Sequence, residues 1–409
     1  MKVLGVIAEY NPLHNGHLFH LNESKEQSGA DCTVCIISGN FVQRGNTSIV
    51  NKWTKAQMAL LNGADLVIEL PTIYSVSSAE NFAEGAIKIL NSLKIIDTLS
   101  FGSELCDIDT LNKMATILYD EPPKYTSLLT HELSKGLSYP KAREKALLMY
   151  LNDITKYSNI LTKSNNILAI EYLKALRKFK SNMMPMCIKR EKVYYHDKCI
   201  VDEYASATAI RDFISRGKFD DVRKVMPKSS YMLLKEDLKK GNFVIDILKF
   251  EKEILYSLRK MSTTEIANLP DVSEGLENSI KNAANSCNNL IDLINIVKSK
   301  RYTHTRIQRI LIYSLLGITK KDMQISRKIT PYVRVLGFNE NGKALLSEIS
   351  KRNKKIQLVT SVKKYMDDCS NKNLKQMLEK DIFATDIYTL GYQYDSWSNL
   401  DYTNKLITM

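Results

Sequence analysis

Short apolar runs alternate with helical stretches through the first hundred residues, and that alternation constrains the fold more than any other feature of the chain. Lys2 to Ala8 is the first apolar run, followed by a loop from Asn11 to Gly16 and a helical stretch from about His17 to Gln27. Cys32 to Ser38 is the second run, and Trp53 to Asn62 reads as a helix ended by Gly63. Asp65 to Leu70 is the third, stopped by Pro71; Ser78 to Leu93 is helical; Thr98 to Phe101 is the fourth, ended by Gly102. Runs of this length separated by helices predict βαβ units and a parallel sheet. Ligands of such sheets bind at the carboxyl ends of the strands. The loops Glu9 to Gly16, Gly39 to Gly45 and Gly102 to Glu104 are therefore expected on the ligand edge.

The pattern becomes mostly helical from 109 to 180, with Asn165 opening an amphipathic segment. A further strand, Met184 to Lys189, leads to SATAIRDFISRG, a capped helix ending at Gly217. Residues 220–325 read as helical, and the segment after Pro331 turns α/β again. The expected fold class is α/β in three parts: a Rossmann-like parallel-sheet domain over 1–219, a helical basic domain over 220–329, and a small C-terminal α/β unit over 330–409.

Charge follows the same division. Residues 1–110 hold 7 Lys and Arg against 12 Asp and Glu, whereas the rest of the chain carries 51 against 33. A basic excess on that scale favours a polyanionic partner, although a Lys-rich solvated surface explains charge alone equally well. With 44% hydrophobic and 25% charged residues, disordered and fibrous classes are excluded. The longest apolar candidate for a membrane helix, Ile310 to Ile318, is broken by Tyr313, Ser314 and Gly317. Glu9 comes too early for a secretory signal, and seven scattered cysteines suit a reducing compartment. A cytoplasmic protein is expected.

The strongest local signal is Tyr10-Asn11-Pro12-Leu13-His14-Asn15-Gly16-His17, directly after the first strand. Gly16 lets backbone approach a ligand, and the helix behind it offers free N–H groups to an anion. Two imidazoles flanking that glycine suit phosphate oxygens that gain charge in a transition state. H-x-G-H by itself also fits a loop with two surface histidines; its position between strand and helix favours a nucleotide site. Ser206-Ala207-Thr208-Ala209-Ile210-Arg211 is a second phosphate-type helix start, with hydroxyls and a first-turn arginine. An ordinary N-cap is its plainer reading, and the pairing of two such starts is what counts.

H-x-G-H with a later S-x-T-x-x-R resembles the nucleotidyltransferase superfamily related to class I aminoacyl-tRNA synthetases. The blocks GVIAEYNPLHNGHL, SGNFVQRG, NKWTKAQMALLNGADLVIELP, FGSE, SNNILAIEYLKAL, KREKVYYHD and SATAIR look more closely like the tRNA(Met) cytidine acetate ligase family. The likeness runs to about Arg216 and more faintly through EGLEN, KRYTHTRIQR and PYVRVLGF. Leu13 departs from the Phe that many relatives carry, an apolar exchange. The resemblance implies adenylation of acetate by ATP, then acetyl transfer to the N4 amine of the wobble cytidine of elongator tRNA(Met). It implies His14 and His17 as catalytic residues. An ATP site is implied along Ile7, Ala8, Glu9, Tyr10, Asn11, Pro12, Leu13, His14, Asn15, Gly16, His17, Leu18, Phe19 and His20. Gly102, Asn165 and Arg190 match further ATP contacts, and Ser206, Thr208 and Arg211 the second phosphate motif. Mg²⁺ would accompany the pyrophosphate; no structural metal, membrane or DNA partner is expected.

The tRNA needs a surface of its own. Lys298, Lys300, Arg301, His304, Arg306 and Arg309 cluster around Tyr302, and Arg301, His304, Arg306 and Arg309 are the expected tRNA contacts. Arg306 and Arg309 share a face if that stretch is helical. Arg44, in a Gly-flanked loop after the second strand, is a further phosphate candidate, and Lys52 a weaker one because lysines are usually solvated. Cys32 and Cys35 read as buried strand residues on different faces rather than a redox pair. His131 and His196 lack clear partners, with His196-Asp197 a candidate for orienting a loop. Two other functions fit parts of the pattern. A small-molecule adenylyltransferase explains both phosphate motifs but not the basic C-terminal half. A non-catalytic RNA-binding protein explains the charge but not the intact motifs.

Overall fold

The computed structural model describes residues 1–153, 157–190, 203–273 and 275–409. His196 and Asp197 lie outside the described residues. The strands, in chain order, are β1 (Val3–Ala8), β2 (Cys32–Ser38), β3 (Phe41–Val42), β4 (Asn46–Thr47), β5 (Leu66–Leu70), β6 (Thr98–Ser103), β7 (Met184–Lys189), β8 (Val333–Phe338), β9 (Leu358–Val359) and β10 (Ile407–Thr408). All but β3 and β4, which pair as a short hairpin, join one sheet in the order β10-β8-β5-β2-β1-β6-β7, with β9 beside β8.

Strands β1, β2, β5, β6 and β7 follow the sequence reading closely and pair in parallel with their neighbours in that part of the sheet, whereas the β3–β4 hairpin lies where a loop was expected. The chain winds outward from β1 through β2 to β5, then crosses back to β6 and β7. The winding direction reverses between β1 and β6, where an open α/β sheet leaves a crevice for ligand. The H-x-G-H loop and Gly102 both open onto that crevice. Alternation along β2 divides its side chains between two cores: Cys32, Val34 and Ile36 enter one, Cys35 and Ile37 the other. The two cysteines are thus buried on opposite faces, as a strand's period of two requires, and the described cysteines are unbridged.

The strand expected after Pro331 exists as β8, but it does not found a separate sheet. It pairs antiparallel with β5, Leu66 opposite Phe338 and Glu69 opposite Arg334. A buried charge cluster marks the seam, and it corrects the solvated reading of Lys52. That ammonium is fully buried, lying 3.0 Å from Glu69 and 2.7 Å from Asp401, while Arg334 reaches Asp401 at 2.6 Å. Burial would raise the Asp401 pKa, but Lys52 and Arg334 outweigh it and hold the carboxyl below its usual value. Lys52 and Asp401 are 349 positions apart, so local composition could not reveal the pairing.

Residues 220–325 are helical as expected, with two 3₁₀ turns. Their apolar residues, among them Ile254, Ile280, Ile294 and Ile310, belong to the same core cluster as Val34 and Leu99 of the sheet. The helical part is therefore packed against the α/β part. No helix among the described residues is long and apolar enough to cross a membrane.

Candidate active site

The helix behind β1 starts at Asn15 and runs to Ser28, with His14 as its N-cap. The cap is reciprocal: His14 Nδ1 accepts from the Gly16 N–H at 3.1 Å, and the His14 N–H donates to His17 Nδ1 at 3.3 Å. The capping-box logic of Ser and Glu is here carried by two imidazoles. With each Nδ1 accepting, each neutral ring carries its proton on Nε2. The rings stack with centroids 3.8 Å apart, and the Tyr10 ring meets His17 edge-on at 5.1 Å.

Both histidines are held neutral. Burial, then Arg190 and Arg211, lowers the His14 pKa to about 3. Burial, then His14 and Arg190, takes His17 well below its ordinary value. His20 is lowered to about 4 by burial and Arg190, and its Nε2 lies 3.1 Å from the Ser100 hydroxyl. The site thus offers Nε2–H donors without imidazolium charge.

A cavity of about 820 Å³ opens over these rings. Ile7, Ala8, Glu9, Tyr10, Asn11, His14, Gly16, His17, Phe19 and His20 line it, as do Gly102, Asn165, Arg190, Ser206 and Arg211. Pro12, Leu13, Asn15, Leu18 and Thr208 are not in the lining. Leu13 is fully buried in a core cluster. The Asn15 side chain instead donates to the carbonyls of Glu203 and Lys224, tying this loop to the later segment. The Thr208 hydroxyl accepts from Arg211 at 3.3 Å, and Arg211 also donates to the Asn11 carbonyl at 2.6 Å. Ser206 caps its helix by accepting from the Ala209 N–H. At Gly102 an added Cβ would sit 3.2 Å from Arg190 Cδ, so the glycine lets that side chain cross the strand end.

Three contributors were not singled out from sequence. Lys55, fully buried, donates to the carbonyls of Glu9, Ser38 and Gly39 at 3.1, 2.7 and 2.7 Å. It gathers the ends of β1 and β2, where parallel strands would otherwise present oxygens to an anion. Burial lowers its pKa to about 7, against the opposing pull of Glu9 and Glu69. Its only sequence signal is a pair of lysines three apart on a helix that must face the sheet. Glu104 takes the Asn165 side chain at 2.7 Å and the Asn166 N–H at 3.0 Å. Gln43 bonds Glu9 Oε1 through its N–H and the Ser77 carbonyl through its side chain.

The expected tRNA residues separate into two groups. Arg301 and His304 are exposed at and just before the start of the His304–Leu316 helix. Arg306 and Arg309 do share a face, but that face grips the turn at 271–273. Arg306 donates to the Asp271 carbonyl and the Ser273 hydroxyl, both at 2.8 Å, and Arg309 to the Asp271 carboxylate at 2.8 Å. Arg309, Thr303, Thr305 and Arg44 also line the cavity. His131 is exposed and absent from that lining.

A family model described as HIGH Nucleotidyl Transferase matches residues 1–402. Proteins named tRNA(Met) cytidine acetate ligase from Acetivibrio thermocellus and Caldanaerobacter subterraneus are each 46% identical to this chain, with both partners covered completely. The chain belongs to the tRNA(Met) cytidine acetate ligase family. Crystal structures of Thermotoga maritima TmcAL superpose over the full length of both chains. The apo form gives a TM-score of 0.95 at 33% identity, and the form bound with alpha-thio ATP gives 0.92 at 32%. The likeness spans the basic helical part that a small-molecule adenylyltransferase left without a role. The α/β nucleotidyltransferase fold and the ligase family read from the motif blocks are both borne out.

Proposed function

We propose that this chain activates acetate with ATP as acetyl-adenylate and transfers the acetyl group to N4 of the wobble cytidine of elongator tRNA(Met) in the cytoplasm. The reciprocal histidine cap carries this reading. It fixes two neutral Nε2–H donors beside a cavity that Arg190 and Arg211 also line, a donor set suited to a triphosphate. Attack of acetate oxygen on the α-phosphorus forms a carboxyl–phosphate anhydride and expels pyrophosphate. His14 and His17 donate to phosphate oxygens as charge grows there, and being fixed beforehand they need no reorganisation. The cavity-lining residues of the segment Ile7 to His20, with Gly102, Asn165 and Arg190, form the ATP subsite, and Ser206 and Arg211 its second phosphate subsite, with Thr208 holding the Arg211 guanidinium. The cytosine amine, weakly nucleophilic because its lone pair enters the ring, then attacks the activated carbonyl, with AMP as leaving group.

Among the described residues, no group of three His, Cys, Asp or Glu side chains is placed to hold a metal. A Mg²⁺ carried by the phosphate oxygens of the nucleotide would neutralise the leaving pyrophosphate. Residues 1–219 supply the chemistry, 220–329 the RNA surface around Arg301 and His304, and 330–409 the buttress beside β5. The test is acetate-dependent exchange of labelled pyrophosphate into ATP, followed by transfer of label from acetate to tRNA. Both occur if the reading holds; exchange that is indifferent to acetate sinks it.

A further inference from the structure

The cavity has two sides, set by the order of the sheet. The nucleotide features follow β1, β6 and β7. On the other side of β1 stands the β3–β4 hairpin that follows β2, and at its tip is Arg44. The hairpin is pinned at every point. Its Gln43 bonds Glu9 and Ser77. The Asn11 side chain donates to the Thr47 carbonyl at 3.0 Å and accepts from the Ile49 N–H at 2.7 Å. Gly45, at φ +74°, lies so close to the His304–Leu316 helix that an added Cβ would be 2.4 Å from the Arg309 nitrogen. Arg44 thus lines the cavity from a fixed support, next to a glycine packed on the first turns of that helix. Thr303 and Thr305 line the cavity there, and Thr303 is exposed, which places this wall at the mouth. Exposed Lys298, Lys300 and Arg301 lead directly to it.

A cytidine that enters the cavity must leave its phosphodiester outside, at the mouth. We infer that Arg44, which lines the cavity together with Thr303 and Thr305, binds a backbone phosphate of the RNA nucleotide that enters, on the β2 side of the cavity, away from the histidine cap. A guanidinium and two neighbouring hydroxyls, 3.5 Å from each other, on one cavity wall suit a phosphodiester, and the support fixes where the base is inserted. The inference rests on the tRNA reading above.

Full-length Arg44→Ala and Arg44→Lys proteins test it, with three readouts. Arg44→Ala raises the KM for tRNA about tenfold. It lowers the salt slope of tRNA binding by roughly 0.7 to 0.9, one phosphate contact. Acetate-dependent pyrophosphate exchange without tRNA stays within about twofold of wild type, and Arg44→Lys recovers much of the tRNA affinity because a point charge survives. An unchanged tRNA KM and salt slope overturns the inference. So does a fall in tRNA-free exchange with a raised KM for acetate or ATP, which would put the guanidinium in the adenylation step. Wild-type protein without acetate-dependent exchange would instead sink the reading on which the inference stands.

Discussion

The two walls of the cavity are built in different ways. The wall after β1 is built from two locally formed pieces: His14, Gly16 and His17 cap one another within four positions, and Ser206 and Thr208 each accept from a residue three positions on, with Arg211 and Asn15 joining the pieces. The wall after β2 is assembled from afar. Its hairpin is clasped by Asn11 from one direction and by the backbone of the His304–Leu316 helix from the other, and the sheet behind it is closed by Lys52 meeting Asp401. A wall made by neighbours in sequence is set by local hydrogen bonds. One made by distant segments depends on the packing of the whole chain. Disturbing the first should therefore alter chemistry, and disturbing the second should alter stability or RNA binding.

The largest expected effect is on the distant side. Lys52→Met leaves Glu69 and Asp401 buried with Arg334 as their remaining cation, and breaking a buried pair costs about 3–5 kcal/mol. Urea unfolding should show that loss. Asp401→Asn, which keeps the shape, should share most of it. A loss below about 1 kcal/mol in both would mean that the seam between β5 and β8 holds by apolar packing alone.

His17→Ala comes next. Removing a preorganised donor of this kind typically costs about 10²–10³ in rate, so pyrophosphate exchange should fall by at least tenfold while tRNA affinity holds. Unchanged exchange in a folded protein would take His17 out of the chemistry. Smaller again is Gly45→Val. Its side chain cannot adopt φ +74° without strain and would press on the Arg309 backbone. The hairpin and helix should part, raising the KM for tRNA several-fold while tRNA-free exchange changes little. Equal losses in both reactions would erase the distinction between the walls.

The same contrast explains what was legible in the sequence. Strands β1, β2, β5, β6 and β7, the helix starts at Ser78 and Ser206, and the histidine loop could be read because each is written in consecutive residues. The place of β8 could not, because strand identity is local whereas its pairing with β5 is not. Lys52 and Lys55 were misread or missed for a related reason. A lysine is ordinarily solvated, and only the fold supplies the buried carboxylates and carbonyls that reverse that expectation. Arg306 and Arg309 were correctly placed on one face, but their partner, the turn at Asp271, lies some 35 positions earlier. Their positive charge supports the helical part first.

The last expected effect concerns acid stability, and on the local wall the three histidines carry it. Histidine in an unfolded chain titrates near 6.5, whereas His14 and His20 are lowered to about 3 and about 4 by burial, with His17 lowered as well. Between pH 6.5 and about 4 the unfolded state binds more protons than the folded one, so folding stability falls as pH falls through that window. Thermal unfolding of wild type at pH 7.5, 6 and 5 should show the decline before most carboxylates begin to protonate. His20→Gln removes one of the three groups, so whatever it costs at pH 7.5, the gap to wild type should narrow on acidification. A gap that stays constant would mean that His20 is not held neutral. Arg44→Ala, on the other wall, should run parallel to wild type across the whole range. A narrowing gap there would join the two walls electrostatically, against the separation that the sheet order implies.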